Sequence, residues 1–446
     1  MPGPPEPVRP RDFATSDDPR VQEQLNRLAA LSLPQGRLSL RPVRQLLAAL
    51  GDPHLRLPPV FHVAGTNGKG STCAFLRAML EADGKRVHQF TSPHLVRYNE
   101  RIRIAGELVD DAMLADLLGE VLDARGTIAA SFFEITTAAA FLAFARNEAD
   151  AAIVEVGLGG RFDATNAIAD PACCGIASLG LDHEQFLLAP EDGAPAEPMA
   201  RIAFEKSGIV KPGRPLVTQS YGPDAQAEVE RAARTAGAPL HMRGADWSIT
   251  GGDMLEYHDR HGALTLPPPA LSGAFQAENA GLAIAMLRHQ DFVTVSPEAI
   301  AAGLRDARWP GRLQWLGKGP LTAMAPGFDV LLDGGHNPDA ARVLAAFCAG
   351  LDRPVHAVIG MLANKDAERF LALVSPHLES VTGVPIVGHP HHAPERIAAM
   401  TGGDTARDVG DALARIAART DGGVILIGGS LYLAGEVLRA NGAFPD

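Results

Sequence analysis

The stretch at residues 59–72, PVFHVAGTNGKGST, is the most informative part of the sequence. Its apolar run ends at Val63 and Ala64 and predicts a buried strand, and residues 72–82 predict an amphipathic helix. Between them lies a turn with three glycines, which are Gly65, Gly68 and Gly70. Glycines let backbone N–H groups approach a phosphate closely, and the helix N-terminus adds partial positive charge. A strand, a glycine-rich turn and a helix in this order indicate a nucleotide-phosphate site.

The same turn carries a lysine and two hydroxyl groups. Lys69 can reach terminal phosphates as a point charge, and Ser71 or Thr72 can bind phosphate or a hard cation. The pattern differs from the standard phosphate loop, because only two residues separate Gly65 from Gly68 and a third glycine follows the lysine. A glycine-rich turn with an exposed lysine is therefore the alternative interpretation.

The composition argues against several kinds of partner. The chain has 446 residues, which predicts roughly two to three domains. Its 40 basic and 52 acidic residues give a net charge of −12, so we expect neither nucleic acid nor a membrane as a partner. The cysteines lack metal-ligand spacing and are expected to be reduced core residues, which favours a cytoplasmic location.

The chain is predicted to comprise a leader and two folded domains. Residues 1–20 are rich in proline and charge, lack the apolar core of a signal peptide and predict a disordered leader. Residues 21–308 contain the glycine-rich turn and form the larger domain. Residues 309–446 have their own apolar strands and form a smaller C-terminal α/β domain.

Strands and helices alternate in both domains, which predicts an α/β fold with parallel sheets and helices on both faces. In the larger domain, the strands after the first are predicted at residues 86–91, 151–156, 173–179 and 215–219. Its helices are predicted as a pair within residues 21–50 and at residues 131–145, 199–208 and 275–289. Residues 240–266 break the alternation and predict an antiparallel flap or edge sheet. The second domain is predicted to have strands at residues 329–333, 355–361, 380–387 and 424–428.

Polar residues stand at the ends of the predicted strands, where ligands bind in parallel sheets. Glu155 closes one strand, and His183 and Ser92 follow two others. An acidic residue and a histidine here can hold Mg²⁺ beside nucleotide phosphates, although magnesium prefers oxygen ligands. His183 is equally well explained as a helix-cap or core histidine, and Ser92 as a turn or N-cap serine.

An ordered series of motifs resembles the folylpolyglutamate and dihydrofolate synthases of the Mur-ligase superfamily, from about residue 25 to the C-terminus. The matching motifs are AGTNGKGST, TSPHL with ERI, FFE, EVGLGGRFDATN, LDH, EKSGIVKPG, PGRLQ, DGGHNPDA, IGML with KD, and GGSLY. The resemblance implies a Mur-ligase-like fold, with a parallel-sheet ATP-binding domain and variant phosphate loop followed by the smaller C-terminal domain. It also implies a cytoplasmic monomer that binds dihydropteroate, folates, L-glutamate and ATP.

The resemblance assigns roles to individual residues near the phosphates. The residues expected to bind ATP are Thr66, Asn67, Gly68, Lys69, Gly70, Ser71, Asn279, Arg312 and Asp333. Ser92, Glu155 and His183 are expected to position Mg²⁺, and K⁺ is a further candidate ion. Lys206 in EKSGI matches the lysine that is carbamylated in this superfamily, which would make it a further metal ligand. Taken alone, Lys206 would be a solvated helix lysine. Lys69, Lys206 and His336 are the catalytic candidates.

The remaining candidates concern the two other substrates. The resemblance places the pterin near five residues, which are Phe133, Glu134, Phe162, Asp163 and Ala164. It assigns the incoming glutamate to His336 and Ser430. In isolation, Phe133 would be a core residue and Asp163 a turn residue, and both glutamate candidates would be turn and helix-cap residues.

Two positions depart from the family pattern. Gly335 stands where the family usually has alanine, and it adds backbone freedom beside Asp333. The segment 189–198, APEDGAPAEP, is longer and richer in proline than the usual link between His183 and Lys206, and it predicts an exposed loop.

The implied reaction is the ATP-dependent joining of glutamate to the carboxylate of dihydropteroate and of folates through an acyl phosphate. A folate extender without the dihydropteroate activity is the first alternative. A peptidoglycan Mur ligase would need a further N-terminal domain, for which there is too little chain before residue 65. A nucleotide-hydrolysing switch that acts on protein partners would leave the motifs of the second domain unexplained.

Overall fold

The computed structural model describes residues 15–31 and 39–446. The described chain folds into two compact units. The N-terminal unit comprises Ser16–His94 and Asn99–Trp309, and the C-terminal unit comprises Thr15, Leu95–Tyr98 and Pro310–Asp446. A four-residue segment from the first half of the sequence therefore belongs to the C-terminal unit. There Val96 lies in the apolar core, and Arg439 Nη2 donates a hydrogen bond to its carbonyl over 2.8 Å.

The N-terminal unit is built from ten helices and eleven strands within the described ranges. The helices are α1 (Pro19–Ala29), α2 (Arg41–Ala49), α3 (Lys69–Ala82), α4 (Asp111–Arg125), α5 (Phe132–Arg146), α6 (Glu184–Leu187), α7 (Pro198–Ser207), α8 (Pro223–Ala236), α9 (Gln276–Arg288) and α10 (Pro297–Asp306). The strands are β1 (Val60–Ala64), β2 (Val87–Phe90), β3 (Ile102–Ile104), β4 (Glu107–Leu108), β5 (Ala151–Glu155), β6 (Cys173–Ile176), β7 (Leu216–Thr218), β8 (Leu240–Met242), β9 (Trp247–Thr250), β10 (Leu255–Asp259) and β11 (Gly262–Leu266).

The main sheet of this unit has the strand order β4-β3-β2-β5-β1-β6-β7-β8. The neighbouring strands from β2 to β8 in this order pair in parallel. At the other edge, β3 pairs antiparallel with β2, and β4 pairs antiparallel with β3. Val63 and Ala64 point to opposite faces and join different apolar clusters. The cluster around Val63 includes residues of α3, α9 and α10, and the cluster around Ala64 includes residues of α7 and α8. The predicted arrangement of a parallel sheet between helices is confirmed at the centre of the sheet.

The C-terminal unit repeats this architecture on a smaller scale. Its helices are α11 (Pro338–Ala349), α12 (Ala367–Val374), α13 (Pro394–Thr401), α14 (Val409–Arg419) and α15 (Leu431–Ala440). Its strands are β12 (Gln314–Trp315), β13 (Phe328–Leu332), β14 (Val355–Ile359), β15 (Ser380–Gly383), β16 (Asp404–Thr405) and β17 (Gly423–Gly428). The strand order is β12-β13-β17-β14-β15-β16, and all neighbouring pairs except β12 with β13 are parallel.

Two of the predicted segments are wrong in part. Residues 1–14 of the expected leader lie outside the described residues, but Pro19 and Arg20 already belong to α1. The Asp18 side chain caps this helix by accepting hydrogen bonds from the next turn, and Pro19 suits its first position. Within residues 240–266, β9 to β11 form the predicted antiparallel sheet, whereas β8 pairs in parallel with β7 in the main sheet.

All four cysteines lie in the described part of the chain, and they are buried and free, as predicted. Across residues 15–31 and 39–446, none of the helices is both long and apolar enough to cross a membrane.

A buried histidine on β1 predicts that acid will destabilise the fold. His62 is fully buried, and its Nε2 lies 2.9 Å from Thr165 Oγ1, which in turn donates to Asp163 Oδ1. Burial, and secondarily the charge of Lys211, lowers the pKa of His62 to about 3. In the unfolded state the imidazole of His62 therefore takes up a proton near pH 6.5, whereas in the folded state it does so only near pH 3. Between these two values, stability falls by about 1.4 kcal/mol for each unit of falling pH.

Urea unfolding at pH 7, 6, 5 and 4 tests this expectation against His62→Gln, whose amide does not titrate. The free energy of unfolding of the wild type should fall faster with decreasing pH than that of the variant. Parallel curves for the two proteins would show that His62 does not govern acid stability.

Candidate active site

The glycine-rich turn between β1 and α3 requires glycine at two positions. Gly65 has a φ of +151°, and a Cβ placed on it would lie 2.9 Å from Ala177 Cβ. Gly68 caps α3 with a φ of +87°, and a Cβ on it would overlap the side-chain oxygen of Asn279. Both the backbone conformation and the close packing therefore exclude other residues, and α3 begins directly at Lys69.

Two further residues of the loop attach it to the chain that follows β6. The backbone N–H of Thr66 donates to Ser178 O over 2.7 Å, and its hydroxyl donates to Gly180 O over 2.9 Å. Asn67 pairs with Ser178 in an isolated antiparallel bridge, and Ser178 Oγ donates to the Asn67 carbonyl over 3.1 Å. The contacts of Thr66 thus shape the loop, so its expected role in ATP binding would be to hold the backbone in place.

The start of α3 is tied to α9 through side chains. Gln276 Nε2 donates to the buried Ser71 hydroxyl over 3.3 Å, and Asn279 Nδ2 donates to Gln276 Oε1 over 3.0 Å. The family resemblance pointed to Ser71 and Asn279 but not to Gln276. The signal was available, because residues 276 and 279 are three apart and share one face of a helix.

Two lysines converge on one carbonyl of the loop. Lys69 Nζ donates to Gly65 O over 3.1 Å, and Lys206 Nζ donates to the same oxygen over 2.9 Å. Lys206 lies near the end of α7 and is only 5% exposed. The expectation from the residue alone, a solvated helix lysine, is therefore wrong, because α7 packs this side chain against the loop.

Burial and a neighbouring cation alter the chemistry of Lys206. Desolvation, followed by the charge of Lys69, lowers the pKa of Lys206 to about 7, although Asp182, Asp163 and Glu205 oppose this shift. A lysine with an ordinary pKa is almost wholly protonated at neutral pH, whereas this amine is close to half neutral. Only the neutral amine can act as a nucleophile.

The structure brings together two of the predicted metal ligands. Glu155 ends β5 and is 4% exposed, and its Oε2 accepts a hydrogen bond from Ser92 N over 3.1 Å. A buried carboxylate beside a hydroxyl residue fits Mg²⁺, which typically takes one or two carboxylates and completes its shell with phosphates and water. The donor set is thus suited to the predicted ion.

His183 differs from these two ligands in exposure. Its side chain is 45% exposed, and its residue adopts a left-handed φ of +53° at the start of α6. Asp182 precedes it with a side chain only 13% exposed, and Asp182 Oδ1 accepts from His183 N over 2.8 Å. No group of three or more histidine, cysteine, aspartate or glutamate side chains among the described residues is arranged to hold a metal by itself. Asp182, which the sequence did not single out, is one of three acidic residues whose charges act on Lys206.

The residues expected near the pterin have structural contacts of their own. Glu134 forms a capping box with Ser131 at the start of α5, where its Oε2 accepts from Ser131 N and Oγ, each over 2.7 Å. The Phe133 ring lies against Gly157, where a Cβ would overlap it, and 5.9 Å from the ring of Phe90. Both side chains are half-buried, which leaves each of them partly accessible.

The second segment expected near the pterin, residues 162–164, is buried more deeply. Asp163 is 5% exposed and accepts hydrogen bonds from Leu158 N over 2.8 Å and Thr165 N over 3.0 Å. Burial raises the pKa of its carboxyl. Ala164 is buried, whereas Phe162 is half-buried with the guanidinium of Arg161 4.2 Å above its ring. Within this segment, Phe162 is the most accessible candidate, and Asp163 organises the loop.

In the C-terminal unit, Asp333 holds two loops together. It follows β13 and is 6% exposed, and its carboxylate accepts from Leu313 N over 2.9 Å and Gly335 N over 2.6 Å. Burial raises its pKa, and the charge of Arg312 opposes that shift. A Cβ at Gly335 would lie 2.7 Å from Asp333 Oδ1 and 2.9 Å from Ala340 Cβ, so close packing is the reason for glycine there.

The two glutamate candidates lie at the carboxyl ends of neighbouring strands. His336 follows β13, and its Nδ1 lies 2.9 Å from Gly334 O. Ser430 follows β17, is 2% exposed, and caps α15 by accepting a hydrogen bond from Tyr432 N over 3.1 Å. The pairing of β13 with β17 places both residues on one edge of the sheet.

Comparison with known proteins shows the family. The Mur ligase, glutamate ligase domain family matches residues 311–431. The dihydrofolate synthase/folylpolyglutamate synthase of Escherichia coli (strain K12) is 35% identical over 391 residues, which cover 86% of this chain and 86% of that protein. The chain belongs to the dihydrofolate synthase/folylpolyglutamate synthase family.

Solved structures of the synthase family agree with this assignment. Escherichia coli FolC in complex with DHPP and ADP aligns with a TM-score of 0.84 and 33% identity, covering 95% of this chain and 98% of that chain. A bifunctional folylpolyglutamate synthase/dihydrofolate synthase with Mn, AMPPNP and L-glutamate bound aligns with a TM-score of 0.82 and 32% identity, covering 94% and 97%. The predicted Mur-ligase-like α/β fold is confirmed.

The long proline-rich loop of this synthase carries an ionic anchor. Residues 189–198 are mostly exposed, as predicted, but the Glu191 side chain is only 14% exposed. Its carboxylate accepts hydrogen bonds from Arg161 Nη1 and Arg201 Nη2, each over 3.0 Å. Both arginines also lie within 3.2 Å of Glu205, the residue before Lys206. The loop is therefore connected to Arg161 and to α7 through one network of four charged side chains.

Glu191→Gln should destabilise the protein by about 2 kcal/mol, because a largely buried arginine pair loses a charged acceptor. The matched control is Glu120→Gln, whose partner Arg146 and own side chain are 50% and 45% exposed. That exposed pair should contribute less than about 1 kcal/mol. Thermal unfolding of both variants measures the difference. Equal shifts in melting temperature would contradict the anchoring role.

Proposed function

We propose that this protein is an ATP-dependent ligase that joins L-glutamate to the carboxylate of dihydropteroate and of tetrahydrofolates. Membership of the synthase family supports the reaction class. The observation that supports the proposal for this chain is the convergence of Lys69 and Lys206 on the Gly65 carbonyl, inside a glycine-rich loop that leads into the N-terminus of α3. A structural turn would not need two lysine amino groups at one carbonyl oxygen.

The phosphate loop would bind ATP and orient its γ-phosphate. Backbone N–H groups of the loop and the N-terminus of α3 supply partial positive charge, and Lys69 supplies a full charge. The substrate carboxylate attacks the γ-phosphorus, and ADP leaves, which produces an acyl phosphate. The glutamate amine then attacks the acyl carbon, and loss of phosphate and a proton leaves the amide. The main contributions of the protein to this scheme are orientation and charge stabilisation.

Ser92, Glu155 and His183 are the residues that would hold Mg²⁺, with the buried Glu155 carboxylate as the strongest ligand. A bound divalent ion would neutralise charge on the phosphates of ATP. Potassium remains a further candidate ion. Glutamate would be bound by His336 and Ser430 in the C-terminal unit, and Arg312 and Asp333 would complete the nucleotide contacts. The monomeric state and the cytoplasmic location remain predictions.

Lys206 would carry a carbamate. Addition of CO₂ to its neutral amine releases one proton and converts the buried neutral amine into a buried anion. Three features support this modification: the burial of the side chain, the neighbouring charge of Lys69, and a pKa of about 7 for the amine. The carbamate would face Lys69 as its counter-ion and would supply oxygen ligands for a second metal ion.

The proposed dual specificity rests on the half-buried Phe133 and Phe162, which offer apolar surface for a pterin ring. The test supplies purified protein with ATP, Mg²⁺, glutamate and either dihydropteroate or tetrahydrofolate, and follows product masses. Both substrates should gain the mass of one glutamate residue. Turnover with tetrahydrofolate but not with dihydropteroate would mean that the protein only extends folates. ATP hydrolysis that is indifferent to both substrates would overturn the ligase proposal.

A further inference from the structure

The indole ring of Trp309 lies directly on the phosphate loop at Gly70. A Cβ built on Gly70 would come within 2.5 Å of Cε2, Cζ2 and Nε1 of Trp309. Separations this short do not occur between real side chains, so only glycine permits the observed contact. Gly70 is the second residue of α3, and its φ lies outside the left-handed region. The backbone conformation therefore gives no reason for glycine at this position, and the ring does.

Trp309 lies three residues after α10, the helix that brings it to this position. Helix α10 packs against α3, and a Cβ at Gly303 would overlap the backbone of Met79. The chain then continues towards the N-terminal turn of α3, where Trp309 is half-buried against the same apolar cluster that contains Leu76 and Met79. The contact thus connects the first turn of α3, which carries Lys69, to the last residue of the N-terminal unit.

We propose that Trp309 is a positioning residue for ATP binding: its ring holds the first turn of α3, and with it Lys69 and the loop N–H groups, in the geometry that receives phosphate. This inference rests on the proposed nucleotide site at residues 65–71. It also explains the feature that separates this loop from the standard one, the extra glycine between Lys69 and Ser71. That glycine accommodates an indole ring.

The contact predicts that the effect of Gly70→Ala on ATP binding depends on whether Trp309 is present. Alanine is a better helix former than glycine, so Gly70→Ala would favour α3 if nothing lay beside it. With Trp309 present, the new methyl group must displace the ring or the helix turn. Gly70→Ala should therefore weaken ATP binding about tenfold or more in the wild type, and by less than about twofold in a Trp309→Leu background.

The experiment measures the dissociation constant of ATP with Mg²⁺ by titration calorimetry for Gly70→Ala, Trp309→Leu and the double variant. Trp309→Leu alone should raise the KM for ATP while the KM for glutamate stays the same, and Trp309→Phe should restore most of the affinity. Trp315→Leu is the matched control, because Trp315 is 41% exposed and belongs to the C-terminal unit. Its ATP affinity should stay within about twofold of wild type.

Three outcomes would overturn the inference. Gly70→Ala could be equally harmful in both backgrounds, which would mean that the glycine serves the phosphate and not the ring. It could be harmless in the wild type. Trp309→Leu could lower the melting temperature without changing ATP affinity, which would make the ring a core residue only. Failure of the wild type to bind ATP would instead refute the proposed function, so the two failures are distinguishable.

Discussion

Lys206→Ala is expected to reduce the rate of glutamate ligation by about a hundredfold or more, the usual effect of removing a group that stabilises charge in the transition state. The residue is buried beside the glycine-rich loop, and its amine is partly neutral near pH 7 because of burial and Lys69. The variant loses both the amine and the carbamate that we propose it carries. Ligation is measured as product formed from tetrahydrofolate and glutamate at saturating ATP, with thermal unfolding to confirm that the fold persists.

Added formate or acetate should restore part of the Lys206→Ala activity, since a small carboxylate can replace the carbamate oxygens. The matched control is Lys211→Ala, which removes another partly buried lysine with a lowered pKa. Lys211 Nζ donates to Asn166 Oδ1 over 2.7 Å, so its loss should reduce the stability of the protein. Added carboxylates should not restore ligation activity lost in this variant. Ligation by Lys206→Ala within about tenfold of wild type would exclude a catalytic role. An unmodified Lys206 in an ATP-bound crystal structure would exclude the carbamate.

The pH dependence of the same activity follows from the sign of the pKa shift. Because the pKa of Lys206 is lowered to about 7, the neutral amine that adds CO₂ predominates above pH 7 and becomes a minority below it. Preincubation with bicarbonate should therefore activate the enzyme more strongly when the starting sample was kept below pH 7.

Lys69→Ala should have an effect of similar size, again about a hundredfold or more in the ligation rate, because the positive charge that Lys69 places at the start of α3 is lost. The charge of Lys69 also lowers the pKa of Lys206, so the pKa of Lys206 should rise in this variant. The pH at which ligation reaches half of its maximum should then move upward.

The matched control for Lys69 is Lys85→Ala, a lysine that follows α3 and pairs with Asp83 over 3.0 Å, their side chains being 31% and 18% exposed. Its ligation rate should match that of the wild type. A ligation rate of Lys69→Ala within about tenfold of that of the wild type would show that Lys69 does not contact the transferred phosphate. An unchanged pH profile would show that the two lysines are not electrostatically coupled.

Much of the fold could be predicted from local sequence patterns. The apolar run before Gly65, the alternation of strands and helices, and the polar residues at strand ends all reflect short-range rules of backbone conformation and burial. Those rules placed β1, the loop and α3, as well as Glu155 and Asp333 at the ends of their strands. The ordered motifs then identified the family, which the comparisons confirm.

The sequence alone therefore determined the α/β fold and the position of the glycine-rich loop between β1 and α3, because both depend on residues that are close together in the chain. Only the tertiary structure decided which side chains meet. It placed Lys206 beside Lys69, Glu191 between two arginines, Trp309 on Gly70, and Leu95–Tyr98 in the C-terminal unit. Except for the loop around Glu191, these contacts join residues more than 100 positions apart, and their burial depends on how whole helices pack, which no local pattern encodes.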